Sequence, residues 1–153
     1  MGEIVDFPKP RRDPGAFRLV SVSGPSPHLD PILSYLGPLV ADRGENVDTY
    51  RTQVFNSMAI GYLLESEGGM HAAGLARIVG DEYHALYCRG SVMDWWLPLV
   101  ARAVSEQMDH FALTRFVWWG RPGWMRILRK SILAKYELSY RGIGQWAEAH
   151  QMK

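Results

Sequence analysis

Cys88 is the single cysteine among 153 residues, so no intrachain disulfide can form and nothing points to an oxidising compartment. No apolar run approaches the roughly 18 residues of a membrane span. The opening MGEIVDFPKPRRDPGAF has no apolar signal-peptide core, and Gly2 is followed by Asp6 where a myristoylation signal has Ser or Thr. A cytoplasmic protein without a membrane partner is expected. No internal repeat or low-complexity tract is present, which excludes solenoid arrays. Neither sign of charge dominates: the formal net charge is +1, which argues against bulk electrostatic binding to nucleic acid. His28, His71, His110 and His150 are scattered without ligand-like spacing, so no metal site is predicted.

What is present suits one globular domain. A chain 47% hydrophobic and 22% charged can bury a real core, and its length is typical of a single domain. Residues 1–16, with Pro8, Pro10 and Pro14 beside Arg11 and Arg12, are predicted to form an extended arm. Residues 17–153 form the domain. FRLVSVSG reads as a first strand ending at Gly24-Pro25. Ile32, Leu36, Leu39 and Val40 keep helical spacing after Ser26-Pro27, with Gly37-Pro38 expected to kink or end that helix early.

The segment from Asp48 to Cys88 is ambiguous. Tyr50, Val54, Met58 and Tyr62 step by four, yet Gly68-Gly69 looks like a turn between strands. The favoured reading is a short helix near 47–55, strands near 57–65 and 70–79, a turn at Gly80-Asp81, and a third strand EYHALYC. A helix over SVMDWWLPLVARAVSEQMDHF follows, with Trp96, Leu99, Val100, Ala103, Val104 and Met108 on its apolar side and Ser91 and Asp94 spaced to satisfy amides at its start. RFVWWG then reads as a buried strand, GWMRILRKSILAKY as a basic amphipathic helix, and ELSYRGIGQWAEA as a last strand or two. Cationic residues crowd this end: Arg115, Arg121, Arg126, Arg129, Lys130, Lys135 and Arg141.

That order of elements resembles the GNAT acyltransferase fold over roughly residues 17–148. GLARIVGD resembles the meander strand and turn, ALYCRG with the helix after it the central strand and cofactor turn, and FVWWGRPGWMRILRKSILAKYEL the fifth strand and following helix. In texture this last stretch is most similar to small GNAT-like proteins of short-tailed bacteriophages. The resemblance implies an α/β (α+β) three-layer fold, with a mixed central sheet, an antiparallel meander and splayed central strands. It also implies acetyl-CoA or another acyl-CoA as cofactor, its pantetheine arm lying in the gap between the fourth and fifth strands.

Residues follow from the resemblance in the same way. The family's cofactor turn, Gln/Arg-x-x-Gly-x-Gly/Ala, offers free amides to the pyrophosphate. Here it is CRGSVMD: Arg89, Gly90 and Ser91 would be the first contacts, but the later glycine is missing and Asp94 would set a carboxylate near the anion. Trp119 and Arg121, at the end of the splayed strand, complete the cofactor-binding set, with Trp118 and Trp119 facing opposite sides. The alternative is that both tryptophans simply fill core. Glu82 and His84 are the candidate bases, His84 by its pKa, unless the Glu-Tyr-His run is solvated. The family's tyrosine acid would fall near Leu128 and Arg129, leaving Tyr136 or, further on, Tyr140 as the nearest phenols. Cys88 lies near an acyl group or is a small core residue.

Two functions are carried forward. One is a non-catalytic phage-type protein, a virion-associated, assembly or host-interaction factor in host cytoplasm or virion, using the basic C-terminal helix to meet a protein partner. Single-stranded nucleic acid beside Trp124 is a minor candidate for that helix. The alternative is an acyl-CoA-dependent N-acyltransferase acting on an amine. A cleft filled by Trp or Met side chains favours the first; an open cleft with Arg89 at its mouth favours the second.

Overall fold

The computed structural model describes residues 17–66, 69–90, 93–119 and 124–141, with backbone only at 93–96. The elements run β1 Arg18–Val22, α1 Leu29–Asp42, α2 Val47–Phe55, β2 Ile60–Ser66, β3 Gly69–Val79, β4 Glu82–Gly90, α3 Met93–His110, β5 Arg115–Trp119, α4 Trp124–Arg129, a 3-10 turn Ile132–Lys135, and β6 Glu137–Arg141. The expected 1–16 arm lies outside the described residues. No described helix is long and apolar enough to cross a membrane.

The six strands pair in chain order in one mixed sheet. β1 to β4 form an antiparallel meander, whereas β4–β5 and β5–β6 are parallel, because α3 and α4 carry the chain back across the sheet each time. Gly80 takes φ 61°, as the first central position of a two-residue hairpin requires. Asp81 beside it fixes the start of β5: its backbone carbonyl accepts the Thr114 amide at 2.9 Å and its carboxylate the Thr114 hydroxyl at 2.8 Å.

Side-chain alternation loads both faces. On one, Val22, Leu63, Leu75, Val117 and Trp119 pack against Ile32, Leu36 and Val40 of α1 and Tyr50 and Val54 of α2. On the other, Tyr62, Tyr83, Phe116 and Trp118 pack against Val104 and Met108 of α3 and Leu128 of α4. This is the expected three-layer α/β architecture.

Several local expectations change. α1 runs through Pro38 to Asp42 instead of ending at Gly37-Pro38. Pro38 and Ser34, whose carbonyl loses its helical partner to proline, are exposed, so that position is open to solvent while buried Leu36 and Val40 hold the helix in register. The short helix expected near 47–55 is unchanged, as α2: the four-residue step ends at Phe55, Ser57 adopts φ 61°, Met58 is exposed, and Tyr62 sits on β2. The basic helix breaks in two. The Ser131 hydroxyl donates to the Leu128 carbonyl at 2.8 Å and accepts from the Leu133 amide at 3.1 Å, replacing helical bonds with local ones. The cations of this end of the chain serve separate roles: Arg115 on β5 and Arg141 on β6 reach Glu82, Lys135 pairs with Asp109 at 3.0 Å, and Arg129 and Lys130 are exposed.

Candidate functional site

A fork between β4 and β5 makes the site. Their pairing covers Glu82 to Ala85 against Arg115 to Trp118 and stops there, while β4 continues to Gly90, where among the described residues it pairs with β3 alone. A bulge sits at the fork: Ala85 pairs Ala76 and Tyr87 pairs Leu75, leaving Leu86 unmatched. A bulge bends its strand, and this one bends β4 away from β5. It also puts Leu86 and Tyr87 into the same core layer. β3 approaches closely here, since a Cβ on Gly74 would lie 3.1 Å from the Tyr87 carbonyl oxygen.

The fork opens on a cavity of about 750 Å³, walled by apolar side chains of β3, β4, β5, α3 and α4. Arg43, Arg89 and Arg126 line it, and no aspartate or glutamate does among the described residues. Arg89 is exposed; its Nη1 donates to the Tyr35 carbonyl at 2.7 Å and its guanidinium stacks 4.6 Å over the Tyr35 ring. Arg43 donates to the carbonyl of the bulged Leu86 at 2.7 Å and lies 4.5 Å over the Tyr87 ring. Burial lowers the Arg43 pKa from its usual value, but an arginine remains charged at neutral pH.

Three phenols line the same cavity, and each proton is committed. Tyr83 donates to the Tyr62 hydroxyl at 2.6 Å, Tyr62 donates to Gln107, and Tyr87 donates to Glu45. Desolvation pushes Tyr62 up to about 12 and raises Tyr83 and Tyr87 well above the ordinary tyrosine range. None is a ready acid at neutral pH.

Glu82 and His84 come together one face away. His84, buried at 3% exposure, holds its Nε2 2.8 Å from Glu82 Oε1. Arg115 Nη1 donates to Glu82 Oε2 at 2.5 Å, with Arg141 Nη2 at 3.4 Å. The bond to His84, then that to Arg115, keeps Glu82 below its usual pKa against the opposing effect of burial. Burial lowers His84, against the pull of Glu82, so the pair is a carboxylate and a neutral imidazole at neutral pH. A carboxylate only accepts, which puts the imidazole proton on Nε2 and the lone pair on Nδ1. Trp119 joins this pair to the cavity: it lines the cavity and meets the His84 ring edge-on at 5.2 Å.

Of the residues singled out from sequence, Arg89, Gly90 and Trp119 line the cavity. Glu82 and His84 form their own pair behind Trp119, not solvated, and Tyr83 between them is buried and reaches the cavity. Tyr136 is apart from all of these. Its hydroxyl donates to Asp109 Oδ1 at 2.6 Å and lies 2.9 Å from both the Ser105 carbonyl and the Ser105 hydroxyl oxygen, and it is not a cavity-lining residue. Ser91 and Arg121 lie outside the described residues, as does the side chain of Asp94. Cys88 is an exposed residue at the cavity, not core. Trp118 and Trp119 do face opposite layers, yet both are buried and both line the cavity. Sequence reading missed Arg43 and Tyr62 as cavity residues; Arg43 meets Leu86 across 43 positions of chain, a pairing with no local signal.

The sequence matches no family model and no curated protein. Its fold has solved counterparts. A predicted acetyltransferase from Clostridium acetobutylicum, solved with acetyl-CoA, superposes with a TM-score of 0.55 at 5% identity, over 75% of this chain and 88% of that one. An aminoglycoside acetyltransferase from an uncultured soil metagenomic sample, solved with sisomicin, gives a TM-score of 0.56 at 5% identity, over 76% and 87%. The fold is that of the GNAT acetyltransferases.

Proposed function

We propose that this chain is an acyl-CoA-dependent N-acyltransferase that moves an acetyl group to an amine. The observation that carries the reading is the fork itself: two parallel strands part over an open apolar cavity that has arginines and no described carboxylate. Such a space suits a ligand with a narrow, mostly uncharged arm and a phosphorylated end. The cavity is open rather than filled, which favours the transferase over the non-catalytic virion-associated reading, and the similar solved structures are acetyltransferases.

Bound acyl-CoA would supply an activated thioester. Arg89 and Arg126 would hold its phosphates, with Gly90 leaving room at the end of β4. His84 is the candidate base: neutral, with its Nε2 proton held by Glu82, it would take the amine proton by way of water at the Trp119 wall of the cavity. Glu82, fixed by Arg115, is a positioning residue that stabilises the imidazolium once formed.

Thermal unfolding with acetyl-CoA, and with CoA as control, tests the site. Ligand at 100 times its dissociation constant adds about 2.7 kcal/mol, several degrees for a domain of this size. The expected result is a clear upward shift that Arg89→Glu removes. No shift at millimolar acetyl-CoA would overturn the reading.

A further inference from the structure

One polar atom at the fork has no described role. Trp118 is the last β5 residue paired with β4, its side chain is 4% exposed and lines the cavity, and its Nε1 is buried with no hydrogen-bond partner among the described residues. Buried donors without partners are rare in native proteins because losing water's bond is uncompensated. The other polar groups nearby are already engaged: Tyr83 with Tyr62, Tyr62 with Gln107, Tyr87 with Glu45, and Arg43 with the Leu86 carbonyl. The indole N–H is a donor kept for something that enters the cavity.

We infer that Trp118 Nε1–H donates to the carbonyl oxygen of the acyl group carried into the fork. The inference rests on the acyl-CoA reading and adds the contact that recognises the acyl end. Direction follows from charge. Arg89 lies four residues beyond Ala85 along β4, about 13 Å at ~3.3 Å per residue. A ligand whose phosphates meet Arg89 therefore sends its uncharged end toward the vertex, where Trp118 sits. A thioester oxygen is a modest acceptor that strengthens as it gains negative charge, so a fixed donor there favours the transition state over the ground state.

Calorimetric titration of wild type and Trp118→Phe with acetyl-CoA and with CoA tests this. CoA has the whole arm but no acyl carbonyl. Wild type should bind acetyl-CoA about tenfold more tightly than CoA, the worth of one net hydrogen bond. The variant should bind both alike, with CoA affinity unchanged. The infrared carbonyl band of bound ¹³C-acetyl-CoA should shift to lower frequency in wild type and return in the variant. Should Trp118→Phe fail to fold, site-specific benzothienylalanine at 118 keeps the bicyclic shape and removes only the N–H. A preference for acetyl-CoA that survives in either variant, or an equal loss for both ligands, overturns the inference while leaving the acyl-CoA reading intact. Wild type binding neither ligand overturns that reading, and this inference with it.

Discussion

The Cβ that Gly74 lacks would stand 3.1 Å from the carbonyl oxygen of Tyr87, so a glycine sits on β3 next to the Leu75–Tyr87 pair, the first beyond the bulge. The bulge that parts β4 from β5 is thereby tied to one glycine one strand away. Gly74→Ala should destabilise the domain by about 1–2 kcal/mol, because a backbone carbonyl inside a paired sheet cannot move aside as a flexible side chain would. Chemical denaturation gives the loss. Acetyl-CoA affinity should also fall, since the strand that must move forms the cavity wall. Unchanged stability and affinity would show that the bulge does not depend on this close approach.

The Glu82–His84 pair makes stability depend on pH in two stages. His84 titrates in the folded state below its ordinary 6.5 because it is buried, so acid protonates the unfolded chain first, and stability falls as pH drops through 6.5. Glu82 is held below its ordinary 4.5, chiefly by its bond to His84. Its contribution is present above 4.5 and is lost as pH falls through that value toward the folded pKa. His84→Gln keeps a donor for Glu82 and removes the titration, so its urea midpoint should decline less between neutral pH and the carboxylate range. His71 is also lowered by burial, so part of the slope remains. Identical profiles for wild type and variant would assign the slope to other groups.

Tyr136 has its hydroxyl between Asp109 and Ser105, where it ties the segment before β6 to α3. Tyr136→Phe should lower stability by about 0.5–1.5 kcal/mol, the net worth of such a bond. Acetyl-CoA turnover should be unchanged within twofold. A drop of tenfold or more in kcat, with stability retained, would instead make this phenol the acid that reprotonates the thiolate.

Short-range pattern determined most of the framework. Period-two alternation in VSV and EYHALYC, the four-residue step from Tyr50 to Val54, and the Gly80-Asp81 turn specify strands, helix and hairpin, because each depends on which side of a local backbone faces the core. Local signals misled where they competed with packing. Pro38 did not end α1, since Leu36 and Val40 were buried on its other side. Ser131 broke a helix whose apolar spacing continued past it.

The site depended on tertiary structure. Arg89, Gly90, Trp119, Glu82 and His84 were legible as residues of the right chemistry on the strands that meet at the fork. Their grouping was not, because the bulge at Leu86, the reach of Arg43 to that carbonyl and the unpartnered Trp118 N–H arise from pairings between residues far apart in the chain. Sequence by itself determined which elements form and which faces they bury, since those are set by neighbours three or four residues away. Only the folded sheet decided where β4 and β5 part and what lines the gap, because a strand's divergence is fixed by the bulge and by the side chains packed on both faces.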